Sequence, residues 1–280
     1  RALERSPMGA MPSGTRFMRH EAWEDALFVH YPADAERLQA LLPPGLLLDL
    51  HEGTAYIGVV CLTESGIIPA PPGMPLWMTR CLGLSHHAVN VRTYVRPASG
   101  DGPPGIFFFS LDCSALLPCI GARLLFNLPY QYSRMSRSSD AAQGESLRIE
   151  SDRFMQTAGL AVEWASGDPL ATATADGVGE AAAAEAGLCR FFVERYALYN
   201  TPGPLLRLLM PRGARLWSGT ITHEPWPMRR ATLLAYGSFC SGTGVLAAAG
   251  GLHELVVGGA CIAHASRGVG PVEFFWSGTS

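Results

Sequence analysis

No lysine occurs in the 280 residues; all 21 basic residues are arginine. No side-chain amine is therefore available for Schiff-base catalysis. Nor is there a CxxC pair among the seven cysteines, which are odd in number and scattered. That pattern argues against a zinc site or disulfide framework and for a reducing compartment. The one GxGxxG match, Gly100 to Gly105, falls in a turn between two strand-like runs rather than between a strand and a helix. No Walker pattern occurs, so no nucleotide cofactor is indicated, and no HxH or HExxH suggests a metal. The least interrupted apolar run, 244–263, is broken by His253 and Glu254 and makes a poor membrane span. The N-terminal RALERSPMGAMPSGTR has no apolar core of signal-peptide length. A net charge of −3 gives no reason to expect nucleic acid or an anionic membrane as partner. The expectation is a soluble, cytoplasmic protein with a loose arm over residues 1–19 and a single domain over 20–280.

What is present concentrates in residues 90–137. From Asn90 to Arg96, Val91, Thr93 and Val95 alternate with Asn90, Arg92, Tyr94 and Arg96. That period of two predicts a half-buried strand. Pro97 and the run Gly100-Asp101-Gly102-Pro103-Pro104-Gly105 force a turn. Ile106 to Asp112 then reads as a second strand, apolar enough for burial on both faces. The hairpin is expected to display Arg92, Tyr94 and Asp112 near one mouth.

Around it, Asp34 is a good N-cap for a helix that Pro43-Pro44-Gly45 stops. Leu46–Leu50 and Thr54–Leu62 read as strands joined at Glu52-Gly53, the signal of a hairpin. Ile67–Pro75, with four prolines, predicts a surface loop or lid. Ala115–Phe126 suits a short helix with Pro118 in its first turn. Arg148–Met155 and Leu160–Ala165 read as strands; Thr172–Ala186 is either a linker or a poorly anchored helix. Leu188–Tyr199 has the clearest helical face. Leu205–Met210, Arg215–Thr222, Ala231–Phe239, Glu254–Ala263 and Val272–Trp276 complete a strand-rich second half. The fold class is α+β with a mainly antiparallel sheet that closure would suit.

The segments NVRTYV, PGIFFFSLD, GAR followed by LPY, FFVERYALY and HEPW, in this order, resemble the YqjF-like family, a bacterial domain of unknown function. More remotely they resemble the acetoacetate decarboxylase superfamily. The resemblance implies a β-rich cone or barrel, flanking helices and a buried pocket. In the decarboxylases a lysine that forms the substrate imine follows a Phe-Pro pair; here Tyr130 or Gln131 stands at that place. Where relatives carry a glutamate two places before the asparagine, this chain has Ala88. The resemblance thus implies a pocket without imine chemistry.

Each candidate residue has a functional and a structural reading. Arg92 binds a carboxylate, with Tyr94 as donor or general acid, or it stands in solvent. Arg123 anchors an anion or caps a helix C-terminus. Tyr130 contacts ligand, while Tyr132 packs. Asp112 suits an ion pair better than a lone buried acid, and Arg195 is the expected partner, although another acid could serve Arg195. His223 is a pocket base or bonds a turn. Adjacent His86 and His87 face opposite ways on a strand and cannot share a metal. Together these imply a small-molecule ligand, an organic acid or carbonyl compound. Tyr130 and His223 would move protons in lyase-, isomerase- or hydratase-type chemistry. The alternative is a non-catalytic binder or sensor. No cofactor is expected, and a homo-oligomer is compatible.

Overall fold

The structure, a computed structural model, describes residues 14–70, 73, 75, 78, 83–140, 146–153, 159–170, 179–210, 215–237, 239–258 and 260–279. Its strands are β1 (Thr15–His20), β2 (Ala22–Ala33), β3 (Leu46–Leu48), β4 (Ala55–Pro69), β5 (Leu84–Pro97), β6 (Gly105–Cys113) and β7 (Tyr130–Asp140). They continue with β8 (Ser146–Arg153), β9 (Gly159–Pro169), β10 (Ala197–Asn200), β11 (Trp217–Thr222), β12 (Met228–Gly237), β13 (Ile262–Val269) and β14 (Val272–Thr279). The helices are α1 (Ala35–Gln39), α2 (Leu116–Phe126), α3 (Glu180–Val193), α4 (Pro204–Leu209) and α5 (Val245–Ala248).

All fourteen strands belong to one sheet that closes twice. One ring of nine runs β2-β4-β5-β6-β7-β8-β9-β12-β13 and returns to β2. A second ring of seven runs β4-β5-β6-β10-β11-β14-β1 and returns to β4. Pairing is antiparallel except where β6 meets β7 and β10.

The two rings share β4, β5 and β6, and this decides the fate of the expected hairpin. A strand shared between two interiors is covered on both faces, so its polar residues are not in solvent. Odd positions Ile57, Val59, Cys61, Val89 and Val91 join the aliphatic core of the nine-strand ring. Even positions Tyr56, Val60, Leu62 and Tyr94 join an aromatic core on the other side, with Trp217, Ile221, Phe274 and helix α3. Period-two alternation therefore separated two interiors here, rather than a core from water.

Helix α3 buries Ala186, Cys189, Phe192 and Val193, one stripe at helical spacing. Phe192 stacks on His30 with ring centroids 3.7 Å apart and touches Tyr56 and Tyr94. Asp34 caps α1 by accepting from the Arg37 amide, and Pro118 does lie in the first turn of α2.

Several expectations yield to tertiary pairing. The arm expected over residues 1–19 is strand from Thr15, because β14 and β4 supply partners; residues 1–13 lie outside the described set. The Glu52-Gly53 turn forms, with both residues at positive φ, yet β3 pairs with β5 rather than β4. The helix read over Leu188–Tyr199 stops at Val193, since Ala197–Asn200 pairs with β11 and Leu198 with β6. Leu205–Met210, read as strand, is helical, with Pro204 at its first position. Of Glu254–Ala263, only the last two residues are strand. The proline-rich stretch is strand to Pro69, and half of its remainder lies outside the described residues; of Thr172–Ala186, residues 172–178 lie outside them and Glu180–Ala186 belongs to α3.

Candidate functional site

His86, Ala88, Asn90, Arg92 and Tyr94 form one stripe along β5, on the side facing the seven-strand ring. Arg92 is only 8 % exposed; among the described residues its Nη2 donates to the Phe192 carbonyl at 3.1 Å, and its guanidinium also reaches the Tyr94 hydroxyl. Its Nε has no partner, and neither does Oδ1 of buried Asn90. The guanidinium lies beside the rings of Phe28 and Tyr94, 5.7 and 5.8 Å from their centroids. Among the described residues no carboxylate is hydrogen-bonded or salt-bridged to it. Beside it, Tyr94 Oη and His30 Nε2 are 2.6 Å apart. Burial pushes the Tyr94 phenol up and the His30 imidazole well below its usual range, so both stay neutral at pH 7.

Gly58 pairs with Arg92 across the sheet, and a Cβ there would lie 3.1 Å from His30 Cδ2 and from the Tyr94 hydroxyl. The absent side chain lets these two groups meet. Gly58→Ala is expected to cost about 1–3 kcal/mol through overpacking, seen as a lower urea midpoint at unchanged m. An unchanged midpoint would mean that the His30–Tyr94 pair yields freely.

A second polar group sits farther along the same face. Glu64, on β4, is 7 % exposed and pairs in register with His86. Its Oε2 lies 3.4 Å from His20 Nδ1 and 3.7 Å from His86 Nε2. Trp23 Nε1 already donates to His20 Nδ1 at 2.9 Å. The single lone pair of that nitrogen is therefore engaged by Trp23, and it carries no N–H for Glu64 to accept, which suits a neutral carboxylic acid better than a carboxylate. Burial pushes Glu64 up to about 7. Burial likewise lowers His20 to about 3 and His86 to about 4, each assisted by a neighbouring histidine. Nε2 of His20 and both ring nitrogens of His86 have no hydrogen-bond partner.

Tyr130 opens β7 level with Leu111, which is itself level with Asn90. Its Cα thus stands two strand spacings, roughly 10 Å, from the β5 stripe. Burial drives its phenol well above 10, and the charges of Glu64, Cys113 and Cys119 add to this. Tyr130, one of the two residues that the resemblance sets at the place of the decarboxylase lysine, thus lies within electrostatic reach of the buried acid.

Asp112 points the other way, into the nine-strand ring, because one extra residue in β6 between Ser110 and Phe108 shifts its register against β5. It does not meet Arg195. Its partner is Arg153, whose Nε lies 3.0 Å from Oδ2 and whose Nη2 lies 2.7 Å from Oδ1. Ser110 accepts from the same guanidinium at 2.6 Å, and Ser151 reaches Asp112 at 3.4 Å. Arg195 instead binds Asp49 at 2.6 Å and the Phe191 carbonyl at 2.6 Å. Of the two expected pairings, Asp112 with Arg195 does not form, because Arg195 leaves the helix end on the aromatic side; Arg195 with another acid does, and that acid is Asp49.

Residues 20–269 match the family DUF2071, described as an uncharacterized conserved protein. The chain belongs to this family. It is 31 % identical over 229 residues to the uncharacterized protein YqjF of Bacillus subtilis, covering 79 % of each chain. Among solved structures, the DUF2071 chain is similar to the enduracididine biosynthesis enzyme MppR complexed with pyruvate. The TM-score is 0.54 at 13 % identity, covering 100 % of this chain and 95 % of that one. Acetoacetate decarboxylase from Legionella pneumophila gives a TM-score of 0.50 at 12 % identity, with 98 % and 91 % covered. The DUF2071 chain has an acetoacetate decarboxylase-like fold.

The remaining sequence candidates of this DUF2071 chain disperse. Arg123 is exposed and its Nη1 donates to the Tyr130 carbonyl at 2.6 Å, a local bond at the end of α2. His223 bonds the Glu224 carbonyl through Nδ1 and packs against Trp23, Tyr196 and Trp226. It is one tryptophan removed from His20. Among the described residues no group of three or more His, Cys, Asp or Glu is placed to hold a metal. Two open clefts, of about 540 and 480 Å³, have neither Arg92 nor Glu64 in their walls. Sequence reading missed Glu64 and His20. The signal for Glu64 was an acid inside the otherwise apolar run YIGVVCLTESGII; His20 was the first residue beyond the supposed arm, outside any strand read from the sequence.

Proposed function

We propose that this protein binds a small organic acid, with or without a carbonyl group, along the β5 stripe, anchoring its carboxylate on Arg92. The observation that carries this reading is a buried guanidinium with an unpaired Nε and no bonded carboxylate. A desolvated charge without a counter-ion is costly, and a ligand carboxylate would supply both the charge and the missing hydrogen bond. Tyr94 is the adjacent donor, and Asn90 leads toward the Glu64 group. There Glu64, protonated below about pH 7, donates to a carbonyl oxygen, while a neutral imidazole of His86 or His20 accepts a proton. Tyr130 lends a phenol where an imine-forming lysine would otherwise stand. Such acid–base chemistry needs no amine. The similarity of fold to a pyruvate-bound enzyme supports trying 2-oxo acids first.

The test is thermal shift with pyruvate, longer 2-oxo acids and aromatic acids, on wild type and Arg92→Met. Ligand at a hundred times its Kd stabilises by about 2.7 kcal/mol, so wild type should melt higher. Arg92→Met should lose the response while melting at or above the unliganded wild type. Equal responses from both proteins, or none from wild type, would sink the anchor. Deuterium uptake at C3 of the bound 2-oxo acid, lost in Glu64→Gln, separates catalysis from the non-catalytic binding reading.

A further inference from the structure

Helices α2 and α4 pack side by side and present an apolar face that nothing described covers. Leu116, Leu117, Ile120 and Leu124 come from α2, Leu205 and Leu208 from α4. Leu117 and Leu208 are 74 % and 81 % exposed. Scattered exposed leucines are ordinary, but six large aliphatic side chains on two contacting helices mark an interaction surface.

The charge around this face says what covers it. Neither helix contains an acidic residue, while Arg123 and Arg207 are exposed on them. The bias extends beyond the helices. Residues 113–139 and 195–223 hold seven of the 21 arginines and none of the 24 acids. Of these seven, Arg195 and Arg137 are already paired with Asp49 and Asp25, whereas Arg123 and Arg207 stand exposed on the helices with no acid on either.

We propose that this face is a peripheral attachment site for an anionic lipid surface. The two helices lie in the interfacial plane, their leucines entering the acyl boundary and their arginines meeting lipid phosphates. The acidic remainder of the molecule orients away from the bilayer. A second copy of this chain fits less well. A twofold contact sets the same patch against itself and brings Arg123 and Arg207 toward like charge, with no carboxylate on either helix to pair them. The expectation of no membrane partner rested on total charge and on the lack of a span; among the described residues no helix is long and apolar enough to cross. Peripheral attachment requires neither.

The experiment is co-sedimentation of the full chain with phosphatidylcholine vesicles, with and without phosphatidylglycerol, beside size-exclusion chromatography with light scattering. Binding is expected only with phosphatidylglycerol and should weaken as salt is raised. Leu117→Ser/Leu208→Ser should reduce it about tenfold or more with an unchanged melting temperature, because both side chains are exposed. Arg207→Gln should reduce it severalfold, about what one interfacial charge contributes, and serves if the double variant folds poorly. No binding, or equal binding to neutral vesicles, overturns the proposal. So does a dimer that the double variant dissolves while leaving vesicle binding untouched.

Discussion

Replacing Asp112 by leucine is expected to cost about 3–5 kcal/mol, because it leaves Arg153 charged in the interior of the nine-strand ring without its carboxylate. Both side chains are 3 % exposed. Water therefore cannot take over the role of Asp112. The informative comparison is the double variant Asp112→Leu/Arg153→Met. If the pair is a matched charge in an otherwise aliphatic chamber, the double variant should recover most of the loss or exceed wild type. Urea unfolding of the four proteins closes the cycle. A double variant as weak as the single one would show instead that Ser110 and Ser151, rather than the charge match, hold this corner together.

Glu64→Gln is expected to change how stability depends on pH. In the unfolded chain Glu64 titrates near 4.5, and in the folded chain near 7. Between these values the folded protein holds a proton that the unfolded chain has released, so the contribution of Glu64 to wild-type stability falls as pH rises from 4.5 to 7. Above 7 the penalty is complete and on the order of 3 kcal/mol. Glutamine does not titrate, so the variant should match wild type near pH 4.5 and exceed it progressively up to pH 7. His20 and His86 pull the other way in both proteins. Their folded values near 3 and 4 lie below the ordinary 6.5, so both proteins lose stability as pH falls below 6.5. The difference between variant and wild type isolates Glu64. Parallel pH–stability curves through this window would rule out a buried, protonated Glu64.

The fold class was legible because strand signals are local: the alternation of Val91, Thr93 and Val95 and the glycine–proline turn before Ile106 need no partner to be recognised. What covers each face is not local. The same alternation fits a sheet with one wet face and a wall between two cores, and only the second closure through β1, β14, β11 and β10 decides between them. For the same reason Arg92 and Tyr94 were found while their surroundings were not: His30 and Phe192 come from β2 and α3. The Glu64 group was least visible. Its members come from β1, β4 and β5, and no short motif joins His20, Glu64 and His86. The extra residue in β6 that turns Asp112 into the opposite chamber leaves no mark that separates it from the apolar run around it.

The wall formed by β4, β5 and β6 also limits how this sequence can vary. Adjacent residues of β5 serve different rooms, Val91 one and Arg92 the other. Substitutions there can retune one room and leave its neighbour's lining intact. Inserting or deleting a single residue cannot be so contained, since every side chain beyond it would change sides at once. Guanidinium and amide groups would be driven among valines, and valines among the tyrosines and imidazoles. Length, more than composition, is what these three strands must preserve.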